Sequence, residues 1–179
     1  MTLNNRSTFL FLGILLIGYF WGIRLFPLRQ VPSDIEDIVE RTVVLPNDTA
    51  FVSSEGMKIL ILVEDSGECS ICNLQIYDWY IYKLEIDKRK YNCDIYYLLD
   101  NEKMSLSSEI ISMLSIYKIN YSYSLNDFLN LNPVLKESKY NIFLLSSENK
   151  ILLVGNPVEN EKLWYLYKDC LKLYSKKKE

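Results

Sequence analysis

Two cysteines in this sequence have the spacing for joint redox chemistry: Cys69 and Cys72, separated by Ser70 and Ile71. Such a pair forms a reversible disulfide, because one thiolate attacks a substrate disulfide and the other then releases the product. Half of a four-cysteine zinc site has the same spacing, so the motif alone leaves both chemistries open.

The predicted position of the pair favours the redox interpretation. Residues 59–63 form a continuous apolar run typical of a buried strand, and helical spacing extends from the cysteines to about residue 90. The pair therefore falls where a strand gives way to a helix, and the free amides of a helix N-terminus stabilise a thiolate. We assign Cys69 as the nucleophile and Cys72 as the resolving thiol.

Acidic side chains near the pair oppose thiolate formation. Glu64, Asp65 and Glu68 all precede Cys69 closely, and neighbouring negative charge raises the pKa of a thiol. We therefore predict a pKa for Cys69 that is less depressed than usual at a helix N-terminus, and a reducing rather than strongly oxidising couple.

The two other cysteines, Cys93 and Cys170, are interpreted as buried and unreactive. A zinc site would need both to approach the first pair, whereas Cys93 falls in a predicted strand and Cys170 on the core face of a predicted helix. A disulfide between Cys93 and Cys170 is the alternative for these two thiols. No metal and no cofactor is predicted.

Composition excludes several classes of function. The chain has 179 residues, of which 49% are hydrophobic, a net charge of −3 and no histidine. Without histidine it has no Ser–His or Cys–His catalytic pair and no imidazole zinc ligand. Its small negative charge offers no long-range attraction to nucleic acid, so nucleic acid is not an expected partner.

The N-terminus reads as a membrane anchor. Residues 9–23 carry no charge, and with flanking residues the segment reaches about twenty residues, or roughly 30 Å of helix. A cleaved signal peptide would need small residues at its cleavage site, where only Gly22 is present, and a lipoprotein would need a cysteine there. We predict an uncleaved transmembrane helix within residues 1–26, with the rest of the chain outside the cytoplasm.

Three segments are predicted after the anchor. A capping-box pattern predicts a short helix at about residues 34–41, followed by edge strands at 42–45 and 50–53. The segments are a linker at residues 27–55, the main domain at 56–175 and a basic tail at 176–179.

Hydrophobic periodicity in the main domain predicts the order β-α-β-α-β-β-α. Residues 119–135 are irregular and are expected to hold a short strand at 121–123 and an Asn-rich loop. Helix-linked strands should run parallel and the terminal hairpin antiparallel. The remaining predicted elements are strands at 59–63, 92–99, 140–145 and 150–154, and helices at 105–117 and from Asn160, as the cap, to about 174.

Two predictions concern which helical side chains face the core. Trp79 and Tyr80, at helical spacing with Ile76, are interpreted as core residues. In the last helix the residues expected on one buried face are Leu163, Leu166, Cys170 and Leu173.

Two stretches of the chain resemble bacterial thioredoxin-like proteins of the TlpA and ResA type. ILILVEDSGECSICNLQIYDWYIYKL looks like their strand, active-site loop and first helix, and NIFLLSSENKILLVGNPVENEKLWYLYKDCL like their terminal hairpin and helix. The predicted fold class is thus α/β and thioredoxin-like, with a central mixed sheet flanked by helices.

The resemblance implies a function and a location. Such proteins exchange disulfides outside the cytoplasm, with protein thiols or disulfides as substrates and an upstream reductant as partner. The expected location is the bacterial inner membrane, crossed once, with the soluble domain in the periplasm.

The sequence departs from this family's pattern near the cysteines. Glu68 replaces a tryptophan, Tyr77 a proline, and Val63 stands where thioredoxin has a buried acid. Tyr140, followed by Asn141, occupies the place of the cis-proline that faces the pair, so these two are candidate site residues.

Three functions remain open at this point. The first is a thiol–disulfide oxidoreductase. The second is a thioredoxin-fold binding or scaffold protein with structural or vestigial cysteines, since a fold alone does not carry activity. The third is a peroxidase of the related peroxiredoxin group. Ser66 lies three residues before Cys69, as that group's Thr or Ser does before its peroxidatic cysteine.

Overall fold

The structure, a computed structural model, describes residues 35, 37–47, 55–64 and 74–175. Cys69, Cys72, the predicted anchor, the predicted strand at 50–53 and the basic tail lie outside these residues. No helix among the described residues is both long enough and apolar enough to cross a membrane.

A five-stranded mixed sheet lies at the centre of the domain, in the order β3-β2-β1-β4-β5. β1 pairs in parallel with β2 and β2 in parallel with β3, whereas β4 runs antiparallel to both β1 and β5. The predicted parallel and hairpin pairings are therefore confirmed. The strands are β1 (Met57–Val63), β2 (Cys93–Leu99), β3 (Asn120–Ser122), β4 (Ile142–Leu145) and β5 (Ile151–Val154).

Helices cover both faces of this sheet. Alternate residues of β1 and β2 point to opposite faces, and each face buries its own apolar cluster. The first cluster packs against α1 (Ile76–Lys88), α2 (Ser108–Ile116) and α5 (Glu161–Ser175). The second cluster packs against α3 (Leu125–Leu131), α4 (Pro133–Lys136) and the segment around Ile38 and Val43.

The described part of the linker extends the sheet at the β5 edge, but the predicted strand at 42–45 is wrong, because it is reduced to a single bridge. Thr42 forms a single antiparallel bridge with Lys150. The Glu40 amide donates to the Ile151 carbonyl at 2.8 Å, and the Ile151 amide donates to the Arg41 carbonyl at 2.8 Å. The predicted helix at 34–41 is represented by one turn, in which the Val39 amide donates to the Ile35 carbonyl.

The predicted Asn-rich loop within residues 119–135 is wrong, because the chain forms the helices α3 and α4 there. Leu125, Phe128 and Leu129 lie at i, i+3 and i+4 and are all buried. The predicted strand at 121–123 is confirmed as β3, and it makes a fifth strand beside β2.

The predicted core face of the last helix is wrong in part, although Leu163 and Cys170 do pack against the first cluster. Its buried residues are Trp164, Tyr167 and Leu171, whereas Leu166 and Leu173 are 53% and 59% exposed. The two large rings remove more apolar area from water than leucines would, so they determine the inward face. The predicted cap is confirmed, because the Asn160 side chain accepts from the Lys162 amide at 3.2 Å.

Candidate active site

Both ends of the segment that carries the cysteine pair lie at one cavity. β1 ends at Val63, and exposed Glu64 follows it. The next described residue is Leu74, just before α1. Glu64 and Leu74 both line a cavity of about 610 Å³ at the C-terminal end of β1. Cys69 and Cys72 belong to the segment between them, so their assigned roles stay predictions.

The predicted site residues Tyr140 and Asn141 line the same cavity. The Asn141 carbonyl accepts from the Leu62 amide at 2.7 Å, which continues the β1–β4 pairing toward the end of β1. Tyr140 is half-buried, and its amide donates to the Ser138 hydroxyl at 3.0 Å. The structure thus brings these two residues to the end of β1 from which the cysteine segment departs.

The rest of the cavity wall combines an apolar base with a polar rim. The base includes Trp79 from α1, Leu129 from α3 and Leu135 from α4. Asn156 and Glu159, which follow β5, contribute to the rim. The cavity is thus framed by α1, the segment before β4 and the turn after β5.

Two hydrogen bonds hold the start of α1, one through the backbone and one through a side chain. The Tyr97 hydroxyl, on β2, donates to the Leu74 carbonyl. The Asn156 side-chain amide donates to the Gln75 side-chain oxygen at 3.1 Å. Gln75 itself has φ 48° and ψ 35°, in the left-handed region. Sequence reasoning missed the side chains of Tyr97, Gln75 and Asn156, and the only local signal is that Tyr97 is the one aromatic residue on its face of β2.

The charges around the cavity are mixed. Glu64 and Glu159 supply carboxylates and Lys139 supplies an ammonium group. The Lys139 ammonium lies 5.3 Å from the centre of the Tyr140 ring, within cation–π range.

Burial, followed by the nearby Asp78 carboxylate, raises the pKa of Tyr97 well above its ordinary value. Tyr97 therefore stays protonated and remains a donor at neutral pH.

The aromatic residues of α1 join this wall to the core. Trp79 is buried, which confirms its predicted core role, and its ring meets Tyr82 edge-on at 5.7 Å. Tyr82 stacks on Trp164 of α5 at 4.0 Å. Tyr80 is only half-buried and stacks on Tyr117 at 4.0 Å. The rings of Trp79 and Tyr82 thus tie the helix that follows the cysteines to the last helix.

Cys93 and Cys170 are free thiols outside the cavity wall. Cys93 is buried and Cys170 half-buried, and burial raises the pKa of both; Asp169 adds to the effect at Cys170. The predicted burial is confirmed for Cys93 and only partly met by Cys170, and the low reactivity of both stays a prediction. The alternative of a disulfide between them is wrong, because both thiols are free. Among the described residues, there is no group of three or more acidic, cysteine or histidine side chains that could hold a metal ion.

Comparison with known proteins gives likeness at the level of structure only. No protein-family model and no curated protein matches the chain. One similar structure is a thioredoxin-like protein from Parabacteroides distasonis, with a TM-score of 0.42, 15% identity, and coverage of 75% of this chain and 94% of that one.

Two further structures are similar. One is a putative thiol:disulfide interchange protein DsbE from Chlorobium tepidum, with a TM-score of 0.42, 13% identity, and coverage of 66% of this chain and 82% of that one. The other is the thioredoxin domain of a thiol–disulfide oxidoreductase from Bacteroides vulgatus, with a TM-score of 0.36, 16% identity, and coverage of 63% and 80%. At these scores and identities we draw nothing about function from them.

The sheet itself identifies the fold. Four of its strands lie in the order β2-β1-β4-β5, with β4 alone reversed, and β3 adds to the outside of β2. Helical crossovers join the parallel strands, and helices cover both faces. This is the α/β arrangement that the sequence predicted, and the chain is a thioredoxin-fold protein.

Proposed function

We propose that this protein is a membrane-tethered thiol–disulfide oxidoreductase that acts outside the cytoplasm through Cys69 and Cys72. One observation carries the proposal: Glu64 and Leu74, which bound the cysteine segment, line a single cavity together with Tyr140 and Asn141. A disulfide held in this cavity would lie beside both described residues that flank the cysteine segment.

The reaction transfers two electrons in two steps. The Cys69 thiolate attacks one sulfur of the substrate disulfide, the substrate S–S bond breaks, and one substrate thiolate leaves. The Cys72 thiolate then attacks the Cys69 sulfur, the mixed disulfide breaks, and the second substrate thiolate leaves. An upstream reductant of the dithiol class returns the Cys69–Cys72 disulfide to two thiols.

The substrates are protein disulfides. Asn141 is exposed and Tyr140 half-buried at the cavity edge, so a chain bound there contacts both. The Asn141 carbonyl is already bonded to Leu62, which holds this part of the wall in place. The wall is thus preorganised for a substrate.

The decisive experiment measures insulin-disulfide reduction and the reduction potential of the pair, using the full-length chain in a mild detergent. We expect turnover in the wild type, none in Cys69→Ser, and a trapped mixed disulfide in Cys72→Ser. The matched control is Cys170→Ser, which removes a half-buried thiol outside the cavity wall and should retain full activity.

Other outcomes point to other functions. Turnover that survives Cys69→Ser contradicts the mechanism. A pair that never cycles favours the binding or scaffold function, and peroxide consumption supported by a reducing system favours the peroxidase.

We place the protein in the bacterial inner membrane, anchored by residues 1–26, with its domain in the periplasm. The support is the uncharged apolar stretch at residues 9–23. A C-terminal fusion to a reporter enzyme that is active only outside the cytoplasm should be active. If that fusion is inactive, and a C-terminal fusion to a reporter that is active only in the cytoplasm is active, this orientation is contradicted.

A further inference from the structure

The start of α1 is held by two elements that are distant in sequence. Tyr97 is 23 residues from Leu74, to which its hydroxyl donates, and Asn156 is 81 residues from Gln75, to which its amide donates. Tyr97 and Leu74 are both buried in the first cluster. One hydrogen bond therefore fixes the backbone from inside the core, and the other fixes a side chain at the cavity rim.

These hydrogen bonds surround a strained residue. Gln75 has a left-handed backbone, which is unfavourable for any residue with a Cβ. Such a conformation persists where surrounding contacts impose it, and it tends to occur at functional sites. At Gln75 these contacts are the hydrogen bond from Asn156 to the Gln75 side chain and the hydrogen bond from Tyr97 to the preceding Leu74 carbonyl.

We propose that Tyr97 is a positioning residue for the resolving thiol. Its hydrogen bond to the Leu74 carbonyl fixes the backbone two residues after Cys72, and the Gln75–Asn156 hydrogen bond supports the same junction. This inference rests on the proposed disulfide exchange. Two residues span at most about 7 Å, so a fixed Leu74 is a short covalent tether for Cys72 in the proposed attack on Cys69.

Packing alone does not account for a tyrosine at this position. A phenylalanine would fill the same space in the first cluster without bringing a hydroxyl into the core, where such a group needs a partner. The adjacent Tyr96 is equally buried but lies on the opposite face of the sheet, in the second cluster. The two tyrosines are therefore a matched pair on opposite faces of the sheet, and the Tyr97 hydroxyl contacts the start of α1.

The test separates the two chemical steps in a single turnover. Reduced full-length chain, with Cys170→Ser in every sample, is mixed with 5,5′-dithiobis(2-nitrobenzoate). Attack by Cys69 releases one coloured thiolate, and attack by Cys72 on the mixed disulfide releases the second. In Tyr97→Phe we expect the first phase within about twofold of wild type and the second slowed on the order of tenfold or more, because small misplacements of reacting atoms slow attack strongly.

The control and a second variant keep the test decisive. Tyr96→Phe should leave both phases unchanged. Gln75→Met removes the amide acceptor at a half-buried position, so it tests the junction even where Tyr97→Phe fails to fold, and it should also slow the second phase.

The results that overturn the inference differ from those that overturn the proposed function. Unchanged second phases in both variants, or equal slowing of both phases, remove the positioning role while leaving disulfide exchange intact. A wild type that never releases the second thiolate, or release that persists in Cys69→Ser, removes the proposed function and this inference with it.

Discussion

Replacing Phe128 by alanine should test the helix that sequence patterns did not predict. Phe128 is 0% exposed within the second cluster, and a buried phenylalanine removes about 150–250 Å² from water. At about 25 cal/mol per Å² this area corresponds to roughly 4–6 kcal/mol. The unfolded chain already buries part of that area, so we expect a loss of about 3–5 kcal/mol in the free energy of unfolding, as for other Phe→Ala changes in cores.

The assay is urea unfolding of the full-length chain in detergent, followed by far-ultraviolet circular dichroism. With a slope of about 2 kcal/mol per M, a loss of 4 kcal/mol lowers the midpoint by roughly 2 M. Leu131→Ala on the same helix is the control, because Leu131 is 49% exposed and should lose less than about 1 kcal/mol. Equal losses in the two variants, or a loss below about 1 kcal/mol in Phe128→Ala, would refute the packing described for α3.

Three further predictions concern titratable groups. Because Cys93 is buried with a raised pKa, iodoacetamide should label it only in denaturant; mass spectrometry that finds it labelled in the native chain contradicts this. The Asp100 pKa is lowered by the Glu102 amide first, and also by Lys103. A lowered folded pKa means that its stabilisation is complete above the unfolded pKa of about 3.9 and disappears as pH falls through the folded value. Urea midpoints of wild type and Asp100→Asn should therefore converge on acidification, and a gap that persists at about pH 2 contradicts the assignment. Glu64→Gln should lower the Cys69 pKa only slightly, because it removes a neighbouring negative charge that is exposed and screened. The pH dependence of alkylation measures this, with Glu148→Gln at the opposite end of the sheet as control, and a wild-type pKa below about 6 contradicts the predicted reducing couple.

The central strands were predictable because their environment is uniform. Every residue of β1 is buried, so an unbroken apolar run was a sufficient signal. The same holds for most of β2. The helix α3 was not predicted because asparagines at 126, 130 and 132 suggested turns. The helix accommodates two of them, because Asn130 is exposed and Asn132 follows the last helical residue.

The candidate site was predictable only where it depends on order along the chain. Tyr140 and Asn141 were predicted from the resemblance, which places a cis-proline just before the hairpin strand. Antiparallel pairing of β4 with β1 brings these positions to the end of β1. The contacts of Tyr97 and Asn156 depend on how α1 packs in three dimensions, which periodicity does not encode. The left-handed Gln75 had no signal either, since glycine and asparagine are the usual markers of that conformation.

The missing proline does not disturb the cavity wall at the end of β1. The hydrogen bond between the Asn141 carbonyl and the Leu62 amide comes from strand pairing, which uses backbone atoms and accepts any residue at position 140. The wall beside the cysteine segment is therefore formed without a proline, and Tyr140 changes what that wall presents to a substrate. Choosing between an oxidoreductase and a scaffold then depends on whether the two cysteines exchange disulfides. In the proposed exchange, the rate of the second step depends on the start of α1, where the Tyr97 hydroxyl holds the Leu74 carbonyl.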